Sequence, residues 1–283
     1  LCLALGPGFS RVLLGPVCLY FFLVKGAQRR ASRAFLTRAL DRPATWRDIW
    51  RNFWTFSQVV LDRVYLLGRE GQGIELLPES PDVLAEPVDQ GKGCLLLGSH
   101  LGSFEASRAI KRARPHVPLR LVMDRGQNPA ATAFLEALNP EMARQVLDVG
   151  AASGADGHPG ASLVLLQALQ EGALVALLAD RHRPGEKTAA VEFFGQSARF
   201  PTAPFELALV TQAPLILFWG LHMGRGRYRI VFEKLDPPER APRGERAAAV
   251  QASMQRYADR LEVHARAAPY NWFNFYDFWA EAT

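Results

Sequence analysis

Two side chains whose types and spacing suit proton transfer are His100 and Glu105, with four residues between them. Histidine has an unperturbed pKa of about 6.5, so a neutral imidazole is available near pH 7 to take a proton. It acts as a general base when a carboxylate on one ring nitrogen fixes its tautomer and direction. Ser103 and the apolar positions Phe104, Ala106, Ala109 and Ile110 predict a helix with Ser103 as N-cap, and Glu105 falls in its first turn. That turn folds back toward the loop carrying His100. Across such a junction the two side chains can meet, whereas on one regular helix they would be poor partners. The helix N-terminus near Gly102 and Ser103 offers N–H groups to developing negative charge. Spacing alone leaves a plainer alternative open, in which His100 caps the helix and Glu105 is a solvated first-turn acid.

The elements that must hold this pair are legible around it. Cys94, Leu95, Leu96 and Leu97 form an unbroken apolar run, the pattern of a strand buried on both faces, and ligands bind at the carboxyl ends of such strands. Strands are also predicted over 118–123, 145–149 and 173–178, with helices over 129–138 and 161–170, a helix closed by Gly172. Alternation of this kind implies a largely parallel sheet with right-handed crossovers. The strand 173–178 ends in Asp180-Arg181-His182-Arg183, which puts a second polar cluster on the same sheet edge as His100. Arg181 and Arg183 suit a phosphate or a phosphopantetheine, with Asp180 fixing one of them; a surface loop with a salt bridge is the plainer alternative. Arg199, ahead of a helix over 203–210, is a further candidate anion contact. Two more strands are expected over 214–219 and 228–232, the second alternating and so near an edge. Residues 150–160 read as a loop and 247–267 as a long amphipathic helix. The stripe Trp46, Ile49, Trp50, Phe53, Phe56, Val60, Leu61, Val64 and Leu67 predicts a helix over 45–68, read as core in preference to the wall of an acyl groove.

His100-Leu101-Gly102-Ser103-Phe104-Glu105 resembles the H-x-x-x-x-D/E block of the glycerolipid and lipid A acyltransferase superfamily. Leu178-Ala179-Asp180-Arg181, Phe193-Phe194-Gly195, Arg199-Phe200-Pro201, Ala213-Pro214-Leu215-Ile216 and the closing aromatic stretch 269–279 follow in that family's order. The chain is most similar to the bacterial late lipid A acyltransferases and their lysophospholipid-acyltransferase-like relatives. Two positions differ: Ser99 stands where the lipid A enzymes usually have Asn, and Arg181 where they often have Gln. The resemblance implies a single α/β domain and transfer of a fatty acyl group from an acyl carrier protein or CoA thioester to a hydroxyl or amine of a lipid-type acceptor. It implies His100 as base and Glu105 as its orienting group, with no cofactor beyond the thioester and no metal. Substrate contacts are expected from Ser99, Gly102, Ser103, Arg125, Asp180, Arg181, Arg183, Phe194, Gly195 and Arg199. A thioesterase or lipid hydrolase using the same pair, or a non-catalytic lipid-binding protein on this scaffold, are the alternatives. The acceptor stays open among lysophospholipid, lipid A precursor, amino-acid-type lipid and polyene-pigment headgroup.

Bulk properties allow one large α/β domain or two small ones and an ample core: 283 residues, 49 % hydrophobic and 22 % charged. A net charge of +5 suits an anionic partner, and no nucleic-acid-binding motif accompanies it. Residues 1–24 are mostly apolar. The cleanest run, 12–24, is shorter than the roughly 20 residues a bilayer crossing needs. Lys25, Arg29, Arg30, Arg33, Arg38, Arg42, Arg47 and Arg51 follow. An apolar segment beside a polybasic one suits an anionic cytoplasmic leaflet. The expected organisation is a membrane-associated segment over 1–24, dipping into the inner membrane without spanning it, and an α/β acyltransferase domain over 25–283. Cys2, Cys18 and Cys94 show no disulfide pattern. No G-x-S-x-G, P-loop or strand-linked G-x-G-x-x-G occurs, and His100, Glu105 and His116 match no common zinc spacing.

Overall fold

An apolar run without alternation needs cover on both sides, and the sheet supplies it. The computed structural model describes residues 2–68, 71, 73–107, 110, 116–126, 129–152, 160–183 and 185–279. Its strands are β1 (Glu75–Glu79), β2 (Cys94–Gly98), β3 (Leu119–Met123), β4 (Val146–Asp148), β5 (Leu174–Leu178), β6 (Thr188–Phe193), β7 (Gln196–Pro201), β8 (Leu215–Gly224) and β9 (Arg227–Leu235). Seven form one sheet in the order β1-β9-β8-β2-β5-β3-β4. Strands β8, β2, β5, β3 and β4 run parallel; β9 is antiparallel to β8, and β1 pairs parallel with β9. The alternating strand β9 therefore lies one place in from the edge, which β1 occupies. β2 sits at the centre, and Cys94, Leu95, Leu96 and Leu97 have no solvent exposure.

Successive residues of these strands feed two separate cores, as the period of two dictates. Leu95, Leu97, Val175, Leu177, Leu215 and Leu217 pack on one face, against α2 (Gly26–Ala39), α10 (Arg246–Ala267) and the C-terminal aromatics. Cys94, Leu96, Leu174, Ala176, Ile216 and Phe218 pack on the other, against α3 (Trp46–Gly68). Three fully buried leucines in β2 contribute roughly 2 kcal/mol each as an upper bound, so the strand that leads to His100 is firmly seated in the sheet. The predicted helices appear as α5 (Pro129–Leu138), α8 (Gly160–Gln170) and α9 (Ala203–Thr211).

Helix α1 (Cys2–Val24) kinks at Gly6 and then runs antiparallel along α3. Tyr65 donates to Ser10 at 2.9 Å, Arg11 reaches Asp62 at 3.2 Å, and Phe22 meets Trp50 and Phe53 edge-on. The rest of its circumference is apolar and open, with Val12 72 % and Leu23 64 % exposed. A helix apolar all round belongs in a core or in lipid. No single described helix is long and apolar enough to cross a membrane; 8–24 and α2 together meet that test but are bent by 91°.

Three expectations need correction. The helix from Ser103 opens as a 3-10 turn over Phe104–Ser107, and the Ser103 hydroxyl donates to Glu105 Oε2 at 3.1 Å instead of capping a backbone N–H. Residues 150–152 of the expected loop are helical, as is residue 149 of the expected strand, and 153–159 lie outside the described residues. Phe194-Gly195 is the two-residue turn of a β6–β7 hairpin, both residues at positive φ (54° and 70°), as a primed turn requires.

Candidate active site

The site begins where β2 and β5 stop. Gly98 pairs with Leu178 in parallel register, and Ala179 N donates to Gly98 O at 3.0 Å, so the next residues of both strands, His100 and Asp180, leave the sheet side by side. Asp180 Oδ1 lies 2.9 Å from His100 Nδ1, and Oδ2 accepts the His100 backbone N–H at 3.0 Å and the Asn274 amide at 3.2 Å. Asp180 is wholly buried. Burial pushes its carboxyl up, but the His100 ring and Arg181 outweigh this and hold it at about 2. An ionised Asp180 makes Nδ1 the donor and leaves Nε2 with its lone pair. Cys94, by contrast, is buried without a partner charge and its thiol is pushed up to about 12, which leaves it inert as a nucleophile.

The carboxylate on the His100 ring is thus Asp180, where the family resemblance implied Glu105. Glu105 lies across the turn with Oε1 2.7 Å from Nε of Arg63 on α3. Register explains the difference: parallel pairing delivers Asp180 directly beside β2, while the 3-10 turn carries Glu105 toward α3.

The turn itself is closed. Gly102 has φ +81°, and a Cβ there would lie 2.1 Å from the Gly220 carbonyl oxygen, so only glycine fits. Leu101 pairs with Trp272, Gly102 N donates to Asn271 O at 2.8 Å, Ser103 N to Gly220 O at 2.8 Å, and Phe273 N to His100 O at 2.9 Å. The aromatic stretch 269–279 is therefore a strap over the turn that carries His100. Asn52 of α3 holds the strap by donating to Tyr270 O and Trp272 O, both at 3.1 Å. Asn274 bridges Asp180 and Arg181, and Arg181 also donates to Phe273 O at 2.8 Å and lies 5.4 Å from the Tyr276 ring.

His100, Glu105, Arg63, Arg181, Ser99 and Gly102 line one cavity of about 540 Å³. Its remaining wall is largely apolar: Phe56, Val59, Val60 and Leu67 from α3, Leu121, Val122 and Met123 from β3, Phe134 and Leu135 from α5. The stripe on α3 thus divides, Ile49 and Phe53 entering the core while Phe56, Val60 and Leu67 face the cavity. Of the other expected contacts, Ser99 is buried and accepts from Trp219 Nε1 at 3.1 Å. Arg125 reaches Glu136 and the Ala143 carbonyl, and Arg183 reaches Asp124 and Glu186. Arg199 donates to Thr188 across the hairpin, whose turn residues Phe194 and Gly195 stand apart from the cavity wall. Arg63 and Asn274 were not signalled by any motif; the apolar spacing on α3 that continues to Leu67 was the one available clue to Arg63.

Fold and site define an α/β protein that presents a carboxylate-bound histidine to an apolar cavity. The model of the bacterial lipid A biosynthesis acyltransferase family matches residues 79–280, well over half of the chain, and the chain belongs to that family. No curated protein matches it.

Proposed function

We propose that this acyltransferase-family protein moves a fatty acyl group from an acyl carrier protein or CoA thioester to a hydroxyl or amine of a lipid-type acceptor. The observation that carries this reading is the 2.9 Å contact between His100 Nδ1 and Asp180 on the wall of an apolar cavity of 540 Å³. His100 Nε2 takes the acceptor proton as the acceptor attacks the thioester carbonyl. Asp180 fixes the tautomer and stabilises the imidazolium that forms. The cavity is of a size that accepts a small organic chain. The reaction takes place at the cytoplasmic face of a bacterial inner membrane, a reading supported by the open apolar surface of α1 and the arginines that follow it.

The test is His100→Ala assayed in membranes with a labelled acyl thioester. Loss of transfer is expected, and undiminished transfer by a folded variant removes the reading. Donor consumption that depends on added acceptor separates transfer from hydrolysis, and lipid mass spectrometry of cells with and without the protein identifies the acceptor.

A further inference from the structure

A base at His100 leaves half of the reaction unattended. As the acceptor adds, negative charge develops on the thioester oxygen, and donors positioned for that oxygen supply a large part of acyl-transfer catalysis. The expected donors are the N–H groups of the helix N-terminus near Gly102 and Ser103, or an arginine. The structure engages four N–H groups of the turn: His100 N with Asp180, Leu101 N with Ser99 Oγ, Gly102 N with Asn271 O and Ser103 N with Gly220 O. With these four engaged, the side chains of the cavity wall are the donors to weigh.

Two cations stand on the cavity wall among the described residues, Arg63 and Arg181. Arg181 is held by Asn274, the Phe273 carbonyl and the Tyr276 ring. Arg63 has one charged neighbour: its Nε lies 2.7 Å from Glu105 Oε1, within ion-pair range but off the line of a hydrogen bond. Its two terminal nitrogens meet no other partner among the described residues. Glu105 is in turn fixed by the Ser103 hydroxyl, so the guanidinium is anchored at one end and open at the other. Ser107 adds a buried hydroxyl on the same wall without a partner among the described residues, a sign that a polar ligand atom belongs there.

We propose that Arg63 is the electrophile of the acyl-transfer step, its terminal N–H groups receiving the thioester oxygen while Glu105 positions it. The inference rests on the acyltransferase reading above. In the step, the acceptor oxygen or nitrogen bonds to the carbonyl carbon, its proton passes to His100 Nε2, and the carbonyl π pair moves onto the oxygen facing Arg63. Collapse restores the carbonyl and breaks the C–S bond, and the departing thiolate takes the proton from His100. No net oxidation occurs.

Binding of two probes tests it without knowledge of the acceptor. Decylphosphonate carries a tetrahedral anionic head on an acyl-like chain, and decanol carries the chain alone. By calorimetry at pH 8, the wild type should prefer decylphosphonate by at least about tenfold, Arg63→Gln should lose that preference with decanol affinity unchanged, and Arg63→Lys should keep part of it. Decylphosphonate binding of wild-type strength in Arg63→Gln overturns the proposal and leaves the His100 reading intact. Should Arg63→Gln lose decanol as well, the Lys variant decides, and no preference there overturns it. Binding of neither probe by the wild type removes the acyl-cavity reading together with this one.

Discussion

Asp180 meets His100 at two points, its Oδ2 3.0 Å from the backbone nitrogen and its Oδ1 2.9 Å from ring Nδ1. One buried carboxylate therefore fixes both the path of the turn and the tautomer of the base. Asp180→Asn keeps the shape but can present an N–H to Nδ1, which favours the wrong tautomer. The turnover number should fall on the order of 10³-fold or more, with little change in donor affinity. Single-turnover kinetics with a labelled thioester measure both.

Glu105→Gln should behave differently. The substitution removes the charge beside Arg63 and leaves the His100–Asp180 contact alone. A loss of about tenfold is expected, smaller than that of Asp180→Asn, with the pH–rate profile unmoved. A loss equal to that of Asp180→Asn, accompanied by a shifted profile, would return the ring-orienting role to Glu105.

Two glycines separate strain from collision. Gly102 and Gly195 both have positive φ, but a Cβ at Gly195 meets open space while one at Gly102 strikes the Gly220 carbonyl. Gly195→Ala should cost about 1 kcal/mol of unfolding free energy, and Gly102→Ala several times that, together with activity. Urea titration of both variants gives the comparison.

Stability should fall with acid in two steps. His222 is buried beside Asp62, and burial and Arg11 lower it to about 4, so it folds neutral. Its folded pKa lies below the unfolded value of about 6.5, so its contribution is complete above that pH and is lost as pH falls toward 4. Asp180, lowered to about 2, contributes fully above its unfolded value of about 3.9 and loses this as pH falls through 2. Each step is worth about 3 kcal/mol. Denaturation midpoints between pH 7 and 2 should show both, with the lower step reduced in Asp180→Asn and the rest of it carried by Asp48, whose carboxyl Arg42 and Thr45 also hold well below the usual range.

The open face of α1 makes a separate prediction. Val12, Tyr20 and Leu23 are each more than 60 % exposed and support no described core. Replacing all three by Glu should leave the melting temperature nearly unchanged and reduce sedimentation with anionic vesicles by on the order of tenfold or more. Equal vesicle binding would remove α1 as the membrane contact.

Most of the frame was legible because it depends on local pattern. The run Cys94–Gly98, the second run ending before Asp180, and the aromatic stripe of α3 each announce burial, and two polar clusters on one sheet edge follow from parallel topology. What was not legible depends on register and distance. Asp180 lies 80 residues from His100, and only the pairing of Gly98 with Leu178 makes it, and not Glu105, the ring's partner. The β6–β7 hairpin was hidden because Phe194 occupies a positive-φ position usually given to Asn, Asp or Gly. The strap was not legible because the hydrogen bonds of Asn271 and Asn274 to the turn and to Asp180 leave no periodic trace.

The strap also sets the order in which the site is assembled. His100, Glu105 and Asp180 leave the ribosome long before Asn271, Trp272, Phe273 and Asn274, which close the turn and neutralise the surroundings of Asp180 and Arg181. A nascent chain halted just short of these residues carries every acid and base of the site and yet lacks a finished one. The segment that closes the site is thus the part of it translated last.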